Sequence, residues 1–320
     1  MTLLKVMQMA RQQITDTILM IRPVNFRMNE QTAVNNYFQE DLRLKNAEIN
    51  SKAQAEFDAF VDKLRAKGIN VIVENDLVEQ DSPDSIFPNN WVSFHSNGDI
   101  AIYPMFAENR RVERRLDIFG RLEEEGFEIR NITDYTSAEE EGFFLEGTGS
   151  ILMDRVNEIA YCALSPRADE ELFIEFCEDF ECTPVVFTAN QTVDDERMPI
   201  YHTNVMMCLG ETFCVICLET IDDKKERKNV EKQLRSSGKE IIRITEAQMS
   251  QFAGNMLQVK GADEKRYLVM SEAAHQSLTP KQIAALEKTS EIVSSDLTTI
   301  ETCGGGSARC MMAEVFLPKK

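Results

Sequence analysis

"FFLEGTGSILMDRVNEIAYCAL", residues 143–164, decides the fold. A glycine-bearing lead-in, "LEGTG", runs into an apolar segment, a polar turn and a second apolar segment. That order predicts a β-hairpin. It returns as "SIFPNNWVSFHSNGDIAIYPM" (85–105), "PIYHTNVMMCLGETFCVICLET" (199–220) and "FAGNMLQVKGADEKRYLVMS" (252–271). A fifth copy, "GGGSARCMMAEVFLP" (304–318), reads as the start of one. With Asn90, Glu146, His202, Asn255 and Cys310 as equivalent points, the gaps are 56, 56, 53 and 55 residues. Regularity of this kind marks repeated supersecondary units.

Between the hairpins lie helix-like stretches, at 110–126, 224–240 and 279–290. Their apolar residues recur near helical spacing, and Thr279-Pro280 has the form of an N-cap followed by proline at N1. Strand-like runs follow: "FEIRNIT", "KEIIRIT" and "SEIVSSD". The unit is therefore hairpin, helix, strand. The fifth copy runs out of chain after its hairpin, and the N-terminus holds the missing parts. These are "DTILMIRPV" as a strand, a helix around 51–67, and "INVIVE" as a second strand. Five ββαβ units closing into a ring, with the chain ends meeting, is the expected architecture. Radial repetition leaves only short, protected sheet edges.

Composition bounds the function. A chain of 320 residues with 43% apolar content can bury a sizeable core. Its 35 basic against 54 acidic residues give a net charge of −19, which argues against nucleic acid and anionic membranes as partners. No run reaches the roughly 18 apolar residues of a membrane span. The start, "MTLLKVMQMARQQ", is broken by Lys5 and Arg11 and lacks a signal-peptide core, so a cytoplasmic protein is expected. Eight cysteines fit that compartment as free thiols. Cys214 and Cys217 form a C-x-x-C inside an apolar strand, without a second pair at metal spacing, and read as core.

In a ring, the leading ends of the hairpins converge on the axis. They carry Asn89, Asn90, Glu146, His202, Asn204, Asn255 and Cys310. A thiol, an imidazole and a carboxylate at equivalent places in three units make a nucleophile, a proton shuttle and an orienting acid. The period of a strand would put His202 and Asn204 on one face. His95 and His275 have no such company.

The motifs "LEGTGS", "YHTNV", "GNML" and "GGGSARCM" resemble, in this order and spacing, those of the amidinotransferase, or guanidino-group-modifying, superfamily. The resemblance covers essentially the whole chain. It implies an α/β fold, the five-bladed pentein propeller of pseudo-fivefold ββαβ repeats around a central active site. Residues 1–320 would then form one catalytic domain. The motifs are most similar to the citrulline-utilisation hydrolase branch, with arginine deiminase and dimethylarginine dimethylaminohydrolase as relatives. The resemblance implies that Cys310 attacks the central carbon of a guanidino or ureido group. His202 would move protons, Glu146 would pair with substrate nitrogens, and a protonated His202 would favour the thiolate. Gly305 and Gly306 would bring backbone close to the substrate. Arg167 would hold its carboxylate, as would Arg110 or Arg111. A small amino-acid substrate, no cofactor, no metal and a homodimer are the further expectations.

Two departures from the arginine deiminase pattern bear on the substrate. Asparagines, Asn90 (or Asn89) and Asn204, stand where deiminases carry guanidinium-gripping aspartates, and "EGTG" replaces "EGGD". A carboxamide offers both a donor and an acceptor, which suits a neutral ureido group. Surplus buried anions would cost several kcal/mol against such a group. Citrulline hydrolysis to ornithine, ammonia and carbon dioxide is the leading expectation. A guanidino substrate matched by Glu146 alone is the alternative, followed by amidino transfer; a non-enzymatic pentein would not need all three residues in register. The acidic stretch "TANQTVDDERMP" (188–199) is expected to act as a lid, with Asp194 or Asp195 toward an α-ammonium.

Overall fold

The computed structural model describes residues 11–320. Most of the N-terminal stretch read above for a signal peptide lies outside the described residues. Five three-stranded sheets share one topology, in which the central strand is antiparallel to one neighbour and parallel to the other. Four of them take their strands in chain order. These are Val92–Phe94, Asp99–Ile102 and Asn131–Asp134; then Ile151–Asp154, Ile159–Leu164 and Thr183–Thr188. Next come Met207–Leu209, Phe213–Ile216 and Glu240–Arg243; then Leu257–Lys260, Arg266–Ser271 and Glu291–Ser295. In the fifth, Ala313–Glu314 pairs antiparallel with Thr17–Arg22, which pairs parallel with Asn70–Asn75. The two ends of the described chain thus meet in one sheet.

A parallel pair needs a crossover, and in each unit the crossover carries a helix. Helix Asn46–Ala66 buries Ile49, Ala53, Phe57, Phe60, Val61 and Leu64, a stripe at three- and four-residue spacing. Helix Pro280–Leu286 has the expected cap: Thr279 accepts from the Gln282 N–H, and the Gln282 side chain answers in a capping box. Cys214 and Cys217 are fully buried, and all eight cysteines are free. Among the described residues, no helix is long and apolar enough to cross a membrane, and no group of three His, Cys, Asp or Glu side chains is placed to hold a metal.

Three sequence expectations are corrected. The stretch 110–126 is a 3-10 segment, Glu108–Glu113, followed by a shorter helix, Asp117–Glu124. A 3-10 turn aligns residues three apart, which lets Arg110 turn inward and meet Glu113. The lead-in of the third hairpin is not extended. His202 caps a helical turn, Thr203–Met206, so it and Asn204 do not share a strand face. Residues 188–199 form a small hairpin, Asn190–Val193 with Glu196–Pro199. Asp194 and Asp195 occupy its turn at φ 49° and 66°, as a two-residue turn of the I′ kind requires.

Candidate active site

The five lead-in turns pack against one another. Their glycines allow it: a Cβ on Gly149 would stand 2.5 Å from Asn90 Nδ2 and 2.9 Å from the His202 ring. Gly305 follows helix Thr298–Gly304 in the left-handed region, at φ 60°, and turns the chain toward Cys310. A small cavity lies at this junction. Asp84, Asn90, Arg110, Arg167, His202 and Cys310 line it, with Asn36, Phe87, Tyr201, Gly304 and Gly306.

Glu146 is fully buried at the end of its lead-in. One oxygen accepts from the Phe106 N–H at 3.0 Å, and the other meets His202 Nε2 at 2.7 Å. Arg167 and Arg110 lie 3.6 and 3.8 Å from that second oxygen. Burial alone would raise the carboxyl pKa; Arg167, His202 and Arg110 outweigh it and hold it at about 2. Glu146 is therefore an anion, and the hydrogen bond runs from His202 Nε2–H to it. Burial pushes His202 down to about 4 against the pull of Glu146. The imidazole is neutral near pH 7, with Nδ1 free to accept a proton. This corrects the expectation of a protonated histidine beside the thiol.

Cys310 is 3% exposed. Its sulfur accepts from Asn255 Nδ2 at 3.2 Å and from Asn204 Nδ2 at 3.5 Å. Two amide donors aimed at one sulfur fix its position at the cavity edge. Asn204 thus serves the thiol and is not part of the cavity lining. Asn89 lies behind the site. With its amide nitrogen facing the Cys310 carbonyl it donates there at 2.6 Å, and its oxygen accepts from Asn204 Nδ2 and the Gly149 N–H at 3.3 Å. Asn90 is the asparagine that lines the cavity, and its Oδ1 accepts from Arg110 Nη1 at 2.9 Å.

Arg110, not Arg111, reaches the site. Arg111 is turned to the Met105 carbonyl and to Glu139. Arg110 is bidentate with Glu113, at 2.9 Å for each bond. Burial opposes its charge, but Glu113 and Asp84 raise its pKa overall, while Glu113 is pushed up to about 8 by burial. Arg167 is held by Asn35 Oδ1 and the Thr32 carbonyl, and its guanidinium lies 4.9 Å from the Tyr201 ring centre. Of the two anticipated glycines, Gly306 lines the cavity, while Gly305 accepts from the Tyr201 hydroxyl behind it.

Two features escaped the sequence reading. Asp84 is a buried carboxylate in the cavity wall. Its Oδ2 accepts from Asn29 Nδ2 at 2.8 Å and from Thr32 Oγ1 at 3.2 Å, while Oδ1 has no partner. Its position six residues before Asn90, in "DSIFPNN", was the available signal. The second is residues 29–39, which close over the cavity. Asn29 and Thr32 bind Asp84, Asn35 binds Arg167, and Asn36 and Gln39 donate to the Gly304 carbonyl at 3.3 Å. The 190–199 hairpin, expected as the lid, contributes nothing to the cavity lining.

These sheets and this cluster define a class of protein, the amidinotransferase or pentein superfamily. Residues 22–317 match the family model for eukaryotic N,N-dimethylarginine dimethylhydrolase, and the chain belongs to that family. Among solved structures it is similar to ArgZ, an arginine dihydrolase from the ornithine–ammonia cycle in cyanobacteria. The TM-score is 0.72 at 16% identity, over 95% of this chain and 41% of that one. It is also similar to the substrate-bound N-terminal domain of ArgZ, with TM-score 0.67 and 16% identity, over 94% and 99% of the two chains. Dimethylarginine dimethylaminohydrolase in adduct with S-methyl-L-thiocitrulline gives a TM-score of 0.63 at 15% identity, over 94% and 99%. The chain thus spans about two fifths of the longer ArgZ chain and nearly all of the ArgZ N-terminal domain and of the dimethylarginine dimethylaminohydrolase. No curated protein sequence matches it.

Proposed function

We propose that the protein hydrolyses a guanidino C–N bond of an arginine-type amino acid through a covalent intermediate on Cys310. The observation that carries this reading is the unpartnered Oδ1 of Asp84, a buried carboxylate oxygen in the same cavity as the thiol. Burial raises the Asp84 pKa against Arg110, and a guanidinium would give that oxygen a charge-assisted partner. Asp84 lines the cavity with Arg110 and Arg167, and Glu146, held ionised, lies beside them. A guanidinium would give the free Asp84 oxygen a charged partner, and a neutral ureido group would not. The similarity to arginine dihydrolases and to dimethylarginine dimethylaminohydrolase supports the same substrate class.

The chemistry follows from the site. The Cys310 thiol passes its proton to His202, and the sulfur adds to the guanidino carbon. The departing nitrogen takes that proton as its C–N bond breaks and leaves as ammonia or an alkylamine. Water then gives a proton to His202 and its oxygen to the carbon. The C–S bond breaks, the sulfur regains a proton, and a ureido amino acid is released. Glu146 keeps the neutral His202 in one tautomer and balances its charge while it holds a second proton, and Arg167 would hold the substrate carboxylate. The five sheets are read as blades of one α/β propeller spanning residues 1–320, and eight free thiols suit a reducing cytoplasm.

Citrulline remains a second reading, favoured by the Asn90 carboxamide in the cavity wall. One assay separates them. The purified protein is incubated with arginine, N,N-dimethylarginine and citrulline, and citrulline, ornithine, ammonia and dimethylamine are measured. Citrulline formed from a guanidino substrate, and lost in Cys310→Ala, is the expected result. Ornithine from citrulline with both guanidino compounds untouched would overturn the guanidino reading.

A further inference from the structure

Two neighbouring crossover helices expose opposite charges. Helix Glu170–Asp179 buries Leu172, Phe173, Phe176 and Cys177, and helix Lys224–Ser236 buries Val230 and Leu234. The first exposes Glu170, Glu171, Glu175, Glu178 and Asp179. The second exposes Lys224, Lys225, Lys228, Lys232 and Arg235. Both pack against strand Thr183–Thr188, which carries no charged side chain. Glu226 fastens the second helix there, accepting from the Thr188 N–H and Oγ1 at 2.7 and 2.8 Å.

Neither helix gains from this segregation by itself. Glu171 and Glu175, Glu175 and Asp179, Lys224 and Lys228, and Lys228 and Lys232 are like charges four residues apart, an arrangement that weakens a helix. Lys224 and Lys225 stand at an N-terminus, Glu178 and Asp179 at a C-terminus, each pair of the wrong sign for the helix dipole. Other helices interleave their charges and pair them: Glu48 meets Lys52, and Arg121 meets Glu74, Glu124 and Glu125. Among the described residues, Glu170, Glu171, Glu175 and Glu178 have no ion-pair partner, and neither have Lys224, Lys225, Lys228 and Lys232. The two acids of the basic helix are already engaged, Glu226 with Thr188 and Glu231 with Arg235 and Arg243. What each helix lacks, the other displays on the far side of one neutral strand.

We propose that these two helices form a two-fold interface between copies of this chain, the acidic helix of each lying on the basic helix of the other. A two-fold axis beside strand Thr183–Thr188 makes the surface self-complementary. Each copy gives and receives one set of ion pairs, and the assembly closes as a dimer. Charge arranged in this way fixes orientation and excludes wrong partners. The net charge of −19 opposes association at long range, and the helix pairing offsets it only at contact. The proposal does not depend on which bond the enzyme cleaves.

Sedimentation velocity on the full chain tests it, over the accessible concentration range. At about 0.15 M salt the Debye length, about 8 Å, masks charge across the molecule yet spares side chains in contact; at about 1 M it is about 3 Å. A dimer is expected in the first condition and a monomer in the second. Two double variants change exposed side chains only: Lys228→Glu with Lys232→Glu, and Glu171→Lys with Glu175→Lys. Each should raise the dimer Kd by at least about tenfold. Mixed in equal amounts, the two variants should form the heterodimer that matches each reversed helix with its reversed partner. A wild type monomeric at about 0.15 M salt, a dimer that persists at about 1 M, or a species larger than a dimer would overturn the proposal. So would variants that dimerise unimpaired, or a mixture that fails to pair.

Discussion

Asp84 changes the meaning of the asparagines that were so visible in the sequence. Asn90 and Asn204, read alone, describe a pocket short of negative charge. In space, Asn204 donates to the Cys310 sulfur and Asp84 supplies a carboxylate. Cys310, His202 and Glu146 were legible because each sits in a motif at a fixed period. Asp84 was not, because its place before Asn90 is no motif and Asp76 and Asp81 precede it; only its position in the cavity wall sets it apart. Asp84→Asn should raise the KM for a guanidino substrate by about tenfold to a hundredfold, the cost of one hydrogen bond to a charge. Steady-state kinetics check it, with kcat expected to change less. The depressed His202 makes a second residue-scale prediction. The base must be neutral, and it loses that state only as pH falls through about 4. The kcat/KM of the wild type should therefore hold through about pH 5.5, where an ordinary imidazole would already be mostly protonated.

At the scale of elements, the hairpins, the crossover helices and the Thr279 cap followed from periodicity, while the turns between them did not. The Glu108–Glu113 segment was read as helix because its arginines and apolar residues fit helical spacing. The tighter turn is chosen by the buried Arg110–Glu113 pair, a tertiary demand invisible to local pattern. Glu113→Ala would leave Arg110 short of its bidentate partner inside the protein. A loss of about 3 kcal/mol in unfolding free energy is expected, the cost of breaking a buried pair. Urea denaturation followed by the single tryptophan, the fully buried Trp91, measures it. The lead-in turns were legible in their glycines, though not in their helical shape. Gly149→Ala would press a methyl against both Asn90 and His202. It should lower kcat by at least about tenfold, because it displaces His202, the base proposed above.

For the molecule as a whole, the period of the sequence anticipated the meeting of the chain ends: Ala313–Glu314 completes the sheet begun by Thr17–Arg22. The closing segment at 29–39 was missed, since it has no periodic pattern and its Asn- and Gln-rich composition reads simply as loop. Charge sets a global pH response. Burial raises Glu113 to about 8 and Glu301 to about 7, from an ordinary value of 4.5. In the folded chain these two keep protons that the unfolded chain has released above about 4.5, so their contribution to stability is full at acid pH. It is lost as pH rises through about 7 and 8. His202 works in the opposite sense, costing stability as pH falls from 6.5 toward about 4. Two groups against one, together with the net charge of −19, favour the acid side. Tm should be higher at about pH 6 than at about pH 8.5 by scanning calorimetry.

Residues 29–39 are tied to the two groups a substrate would need most, Asp84 and Arg167. The flap holds Oδ2 of Asp84 while a guanidinium would take the free Oδ1, so guest and flap would share one side chain. A guest would enter and leave only as these ties open. With that opening setting the pace, kcat is expected to fall in proportion to added sucrose viscosity. Asn35→Ala, which cuts the tie to Arg167, should loosen that dependence.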